Sequence, residues 1–234
     1  MRLIICTQKS WNINLANAFI KNHSDLHQIE LIKEKNELNL ANLEHINPDY
    51  IFFPHWSFII PSEIFERYSC VVFHMTDLPF GRGGSPLQNL ISRGIYKTKI
   101  SAIKVTSGLD TGPIYLKKDL DISKGSATEI FTNAAEMIFK EMIPEILEQK
   151  LIPQPQSGEP VVFKRRTPEE SLLNSDFSLQ KIYDYIRMLD AEGYPNAYLT
   201  FGDYNVTFTH AEMDVDSVTA NVRISRQKKE ETNV

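Results

Sequence analysis

The amino-terminal half of the chain alternates short apolar runs with amphipathic stretches. Leu3 to Cys6 is an apolar run that ends at polar residues, as a buried strand does where it opens into a loop, and Asn12 to Ile20 has apolar residues at helical spacing. The same pattern predicts strands at 29–32, 50–53 and 70–73, and short helices at 38–43 and from Ser62. Strands that alternate with helices predict a parallel sheet with right-handed crossovers, and therefore an α/β fold.

The pattern changes after Phe73. Residues 74–85 contain three glycines, a proline and several polar residues, which predicts a loop. Ser85 and Pro86 predict the N-cap and first turn of a helix that runs to about Ile91. Strands at 100–105 and 114–117 flank a turn at 107–113 and extend the sheet in the antiparallel sense. The most regular helical pattern covers 126–151, where Pro144 is expected to bend the helix.

A proline-rich stretch at 153–160 predicts a linker between two domains. We therefore expect one domain at residues 1–155, a small mixed α+β subdomain at 156–224 and a flexible tail at 225–234. The subdomain pattern predicts a helix at 179–189 and strands at 161–163, 197–201, 205–209 and 217–224, with a hairpin turn at Gly202 and Asp203.

Composition narrows the class of protein. The 234 residues are 42% hydrophobic and 24% charged, which is ordinary for a globular chain. A net charge of −5 disfavours a polyanionic nucleic-acid partner. The two cysteines predict neither disulfides nor a cysteine-rich metal site. The sequence also has no apolar run long enough for a membrane span, so we expect a cytoplasmic protein without a membrane partner.

Two side chains are placed where chemistry would occur. His74 lies where an apolar strand gives way to the glycine-rich loop, and ligands of open α/β sheets bind outside the carboxyl ends of strands. Asp110 lies in the 107–113 turn, and a carboxylate near His74 can orient the imidazole and stabilise its protonated form. By position alone, a structural histidine and a turn-forming aspartate fit equally well.

Three ordered segments nevertheless resemble one family. His74-Met75-Thr76-Asp77-Leu78-Pro79 with Arg82-Gly83 and Ser85-Pro86-Leu87 resembles the signature loop of the formyltetrahydrofolate-dependent formyltransferases, and Leu109-Asp110-Thr111-Gly112-Pro113-Ile114 resembles their aspartate-glycine turn. His74 and Asp110 lie 36 positions apart, as expected in that family. Residues 163–171 resemble the segment that follows the catalytic domain in the sugar-modifying branch. We therefore expect a sugar N-formyltransferase, such as one that acts in the pseudaminic acid pathway.

The resemblance implies a Rossmann-like catalytic domain that uses N10-formyltetrahydrofolate and no metal. The implied reaction formylates the 4-amino group of a UDP- or dTDP-linked amino-deoxy sugar in bacterial surface-glycan biosynthesis. His74 would transfer protons and stabilise the oxyanion, and Asp110 would hold His74 and help to protonate the leaving folate nitrogen. The family's usual asparagine two residues before the histidine is replaced by Val72. Either Thr76 or a loop amide substitutes as the donor, or catalysis is impaired.

The implied binding residues form two groups. The folate group comprises Trp56, Phe58, Arg82, Gly83, Ser107, Gly108, Leu109 and Asp110. The acceptor group comprises Ser10, Trp11, Asn12, Thr76, Lys164, Arg165 and Arg166, the last three for the pyrophosphate of a nucleotide sugar. Trp56 and Phe58 are equally typical of core aromatics. Lys164, Arg165 and Arg166 are equally typical of a solvated basic edge, and Arg226, Lys228 and Lys229 are typical of a solvated tail.

Two other functions remain open at this point. A hydrolase of formyltetrahydrofolate would use the same folate site with water as the acceptor. A non-catalytic folate or nucleotide-sugar binding module would keep the fold without turnover. For the predicted formyltransferase we expect no nucleic-acid partner, and a homodimer formed through the carboxyl-terminal strands.

Overall fold

The computed structural model describes residues 1–227, so Lys228, Lys229 and most of the predicted tail lie outside the described residues. The strands are β1 (Arg2–Cys6), β2 (Gln28–Ile32), β3 (Tyr50–Phe53), β4 (Cys70–His74), β5 (Phe80–Gly83), β6 (Lys97–Lys104), β7 (Ile114–Asp121), β8 (Val161–Phe163), β9 (Ala197–Phe201), β10 (Tyr204–Met213) and β11 (Val218–Arg226). β11 ends at Arg226, so it includes the first two residues of the predicted tail at 225–234.

The helices follow the predicted pattern closely. They are α1 (Ser10–His23), α2 (Leu40–Ile46), α3 (Ser62–Phe65), α4 (Pro86–Ile91), α5 (Ala127–Met137), α6 (Ile143–Gln149) and α7 (Leu179–Arg187). Ser85, expected to cap α4, has φ +50 rather than the extended backbone usual at an N-cap. No helix within residues 1–227 is long and apolar enough to cross a membrane.

Six strands form the main sheet, in the order β2-β1-β3-β4-β6-β7. β2, β1, β3 and β4 are parallel, and β6 and β7 continue the sheet antiparallel. In β1, residues 3–6 are fully buried, which explains why this strand reads as one apolar run rather than an alternation. The predicted α/β class is confirmed, and the carboxyl ends of β1, β3 and β4 meet at one edge of the sheet.

The predicted loop at 74–85 contains a strand that the sequence did not indicate. β5 pairs with β8 in parallel, within a separate two-stranded sheet. A Cβ on Gly83 would lie 2.3 Å from the carbonyl oxygen of Phe163, and Gly83 has φ +104. The close backbone approach requires glycine, and a glycine-rich strand has no hydrophobic alternation for a pattern to detect.

The predicted helix at 126–151 is divided into three parts. α5 passes into a π-helical turn at Ile138–Met142, and α6 follows with Pro144 in its first turn. Because proline has no N–H to donate to the carbonyl four residues earlier, the regular bonding of the helix is interrupted here. The expected irregularity is thus present and begins one turn before Pro144.

Contacts divide the chain into two compact units. Unit 1 comprises residues 1–86, 97–121 and 131–164, and unit 2 comprises 87–96, 122–130 and the chain from Arg165 onward. Unit 1 contains the main sheet, whereas unit 2 contains the antiparallel sheet β11-β10-β9 with α7. The proposed functional division of the chain near residue 155 stays a prediction.

Candidate active site

His74 is the last residue of β4 and is 9% exposed. Its Nε2 lies 2.7 Å from the carbonyl oxygen of Gly81. A carbonyl can only accept a hydrogen bond, so Nε2 carries the hydrogen and Nδ1 of the neutral ring is the nitrogen able to take up a proton. The turn at Gly81 therefore fixes both the orientation and the tautomer of the imidazole.

Asp110 lies in the turn between β6 and β7, with its side chain 15% exposed. Its Oδ2 is 3.6 Å from Nδ1 of His74 and accepts a hydrogen bond of 2.9 Å from the backbone N–H of Gly83. The turn needs Gly112, because a Cβ there would lie 1.7 Å from the carbonyl oxygen of Lys104. The structure thus brings together His74, Asp110 and Gly83, and their roles in the reaction stay predictions.

The loop between His74 and Gly81 is held from several sides. Thr76 is fully buried, and its hydroxyl donates to the carbonyl of Gly81 at 3.3 Å. Ser101 Oγ donates to the carbonyl of Thr76 at 2.7 Å, and Lys117 Nζ bonds both Asp77 Oδ1 (2.5 Å) and the carbonyl of Leu78 (2.6 Å). The contact of Thr76 with an acceptor stays a prediction.

Val72, which replaces the family asparagine, lies on the same face of β4 as His74 because side chains alternate along a strand. It is partly buried and packs against the apolar cluster that includes Ile51 and Phe53. No amide can come from this position, and the sequence comparison with the family signature had already indicated its loss.

Gln156 is a residue of this site that sequence reasoning missed. Its amide oxygen accepts hydrogen bonds from Arg82 Nε (3.1 Å) and Nη2 (2.7 Å). Its amide nitrogen donates to the carbonyls of Asp110 and Gly112, both at 2.8 Å. It lies in the stretch that the sequence predicted to be a linker, and a glutamine among prolines gives no signal of such contacts.

Trp56 and Phe58 follow β3. Trp56 is partly buried and meets the rings of Phe53 and Phe58 edge-on, with centroids 6.1 and 5.5 Å away. Phe58 is 38% exposed, and Lys35 Nζ lies 5.4 Å from its ring centroid. Trp56 Nε1 is buried without a hydrogen-bond partner in the described structure. Their roles in folate binding stay predictions.

Trp11 and Asn12 lie near the carboxyl end of β1 and contact the segment after β3. Asn12 Nδ2 donates to the carbonyl of Pro54 at 3.1 Å. His55 packs edge-on against Trp11 and Phe131, with ring centroids 5.5 and 4.8 Å away. Burial, and secondarily the charge of Lys9, lowers the pKa of His55 to about 4, so its ring is neutral at physiological pH.

The other predicted binding residues lie in three places. Ser107, Gly108 and Leu109 form the turn that leads to Asp110, and Leu109 is 70% exposed. Ser10 is exposed at the start of α1. Lys164 is exposed in unit 1, and Arg165 is exposed in unit 2. Arg166 is partly buried, forms an ion pair with Glu170 (3.7 Å) and lies 5.3 Å from the ring centroid of Tyr185.

This arrangement can perform acid-base chemistry on an amine. Nδ1 of His74 can accept a proton, and the Asp110 carboxylate can stabilise the imidazolium that results. Residues 1–227 contain no group of three or more histidine, cysteine, aspartate or glutamate side chains able to hold a metal ion.

Comparison with known proteins identifies the class. The family model described as "Formyl transferase" matches residues 5–147, and the model described as "Methionyl-tRNA formyltransferase, C-terminal domain" matches residues 168–225. The chain belongs to the formyl transferase family and is an enzyme of that class. Members of this family use formyl-tetrahydrofolate as the donor.

Individual relatives carry more specific names. A methionyl-tRNA formyltransferase from Rickettsia massiliae is 31% identical over 213 residues, which are 87% of this chain and 69% of the relative. A solved structure entitled methionyl-tRNA formyltransferase from Clostridium thermocellum is 56% identical, has a TM-score of 0.95 and covers 97% of this chain and 100% of its own. A sugar N-formyltransferase from Shewanella sp. shares the fold at 15% identity and a TM-score of 0.68, covering 98% of this chain and 99% of its own.

These findings correct the predicted substrate. The expectation of a nucleotide-linked amino sugar, of pseudaminic acid and of surface-glycan biosynthesis is wrong, because the relatives at 31% and 56% identity are methionyl-tRNA formyltransferases. The expectation of no nucleic-acid partner is wrong for the same reason. A non-catalytic binding module is also set aside, since the family is one of enzymes. The expected homodimer stays a prediction.

Proposed function

We propose that this chain transfers the formyl group of N10-formyltetrahydrofolate to the amino group of methionyl-tRNA. The observation that carries the proposal is the 56% identity, over 97% of the chain, to a protein entitled methionyl-tRNA formyltransferase. The match of residues 168–225 to the carboxyl-terminal domain model of that enzyme also supports it.

The site geometry fits this reaction. The amine nitrogen attacks the formyl carbon, the bond from that carbon to folate N10 breaks, and one proton moves from the amine to N10. Nδ1 of His74 accepts the proton, while Asp110 stabilises the imidazolium at 3.6 Å. We place the folate against residues 107–110, Arg82, Gly83, Trp56 and Phe58, and the acceptor near Ser10, Trp11, Asn12 and Thr76.

The test is a formylation assay with purified protein, N10-formyltetrahydrofolate and three acceptors: methionyl-tRNA, uncharged tRNA and free methionine. We expect formyl-methionyl-tRNA from the first acceptor only. His74→Gln should lower kcat by about 10²–10⁴-fold, since it removes the proton acceptor. The matched control is His45→Gln on the exposed side of α2, which should leave kcat unchanged.

Calorimetric titration with tetrahydrofolate accompanies the assay. Tight folate binding without formylation of methionyl-tRNA would overturn the proposed acceptor. Release of formate that is independent of the acceptor would point instead to hydrolysis. Full activity of the His74→Gln variant would remove His74 from the reaction.

A further inference from the structure

The Asp110 turn is strained and therefore needs support. Asp110 has φ +52, in the left-handed region that residues other than glycine seldom adopt. Such a conformation persists only where the surrounding structure fixes it. The bond from Gly83 fixes the carboxylate. The backbone of the turn requires a separate restraint.

Gln156 supplies that restraint. Its Nε2 donates to two carbonyls of the turn, those of Asp110 and Gly112, at 2.8 Å each. Its Oε1 accepts from Arg82 twice, and these bonds are strengthened by the guanidinium charge. Both amide hydrogens and both oxygen lone-pair positions are thus used, which leaves the side chain little freedom to rotate.

The two segments that Gln156 joins are the two halves of the active site. Arg82 precedes Gly83, whose N–H holds the carboxylate of Asp110, and it follows Gly81, whose carbonyl sets the tautomer of His74. Gln156 is held in its turn, because the backbone of Gln154 forms a bridge with Ile114 through bonds of 2.7 and 2.8 Å. A segment that follows α6 is therefore part of the site.

We propose that Gln156 is a positioning residue for formyl transfer, which acts by fixing the Asp110 turn against the loop that carries Arg82 and Gly83. The inference rests on the proposed function, because its first readout is the formylation of methionyl-tRNA. We expect Gln156 to touch neither reactant and to act through Asp110.

The main test is Gln156→Glu, alone and combined with Asp110→Asn. The glutamate retains an oxygen for Arg82 but places an oxygen opposite the carbonyls of Asp110 and Gly112. We expect kcat to fall about ten- to a hundredfold, as displacements of this kind do in preorganised sites, with KM for methionyl-tRNA close to the wild-type value. In the Asp110→Asn background the same change should have little further effect.

The matched control is Gln154→Glu, two residues away, whose side chain donates to the carbonyl of Ile152 within its own segment at 3.1 Å. It should leave kcat unchanged. Thermal unfolding is measured for every variant. If Gln156→Glu does not fold, Gln156→Met removes the same hydrogen bonds without adding a charge and takes its place.

An equal loss of kcat in both backgrounds, or a Gln156→Glu variant as active as Gln154→Glu, would overturn the inference. Failure of the wild type to formylate methionyl-tRNA would count against the proposed function instead. In that case the Kd for tetrahydrofolate is measured for the wild type, Gln156→Glu, Asp110→Asn and the double variant. Gln156→Glu should then weaken binding in the wild-type background and have little effect beside Asp110→Asn.

Discussion

At the scale of single residues, His55 makes the protein sensitive to acid. Burial holds its pKa at about 4, whereas an unfolded histidine titrates near 6.5. Between these two values the unfolded chain binds the additional proton, so stability falls as the pH is lowered through this window. We expect His55 to account for a loss on the order of 2 kcal/mol between pH 6.5 and 4.5.

The measurement is urea unfolding of the wild type and His55→Asn at both pH values. Asparagine does not titrate and tolerates the left-handed backbone of this position, where φ is +57. The variant should lose less stability on acidification, whatever its stability at pH 6.5. His45→Asn, at an exposed position, serves as the control. Equal losses in wild type and His55→Asn would show that His55 is not responsible.

At the scale of elements, a buried ion pair joins the separate segments of unit 2. Arg187 in α7 is 1% exposed and bonds Asp184 at 2.7 Å, together with the carbonyls of Ile122 (3.0 Å) and Gly125 (3.2 Å). Tyr96 donates to Asp184 at 2.6 Å. Three stretches that are distant in sequence thus meet at one pair of charges, and none of these polar contacts follows from the helical pattern of 179–189.

Removing one member of this pair should be costly. Arg187→Met leaves the Asp184 carboxylate, 3% exposed, without its cation. Loss of one partner of a buried pair destabilises by about 3–5 kcal/mol, which urea unfolding would detect. Arg223→Met makes the same substitution at an exposed position of β11 and should change stability by less than about 0.5 kcal/mol. Similar values for the two variants would contradict the assigned role.

At the scale of the whole molecule, net charge was a poor guide to the partner. A net charge of −5 describes the sum over the chain, whereas a polyanion responds to the charges near its own contact surface. Under the proposed function, the cations at the contact surface therefore set how strongly tRNA binding depends on salt. We expect Arg165→Gln, which removes an exposed cation, to reduce the log–log slope by about one.

The measurement is the Kd for methionyl-tRNA over a series of salt concentrations. Arg67→Gln changes the net charge equally, but Arg67 is paired with Glu44 at 3.2 Å in unit 1, and its loss should leave the slope unchanged. A slope that changes equally in both variants would indicate a response to net charge rather than to a contact at Arg165.

Much of the fold was determined by local pattern. β3 and β9 have the predicted bounds, because apolar strands between turn residues are local signals. His74 and Asp110 were indicated by short motifs that resemble those of the family, and the structure places them 3.6 Å apart. The prediction of the acceptor was wrong. The motifs around His74 and Asp110 concern the formyl donor and proton transfer, and they do not depend on which molecule presents the amine.

The sequence alone therefore determined the α/β class and the order of most elements, and it indicated His74 and Asp110, which the structure brings together. Only the tertiary structure revealed β5 beside β8, the four hydrogen bonds of Gln156 and the packing of His55 against Trp11 and Phe131. The first group follows from hydrophobic periodicity and short motifs, which act over a few residues. The second depends on backbone and polar contacts between distant segments, and such contacts have no periodicity that a sequence can display.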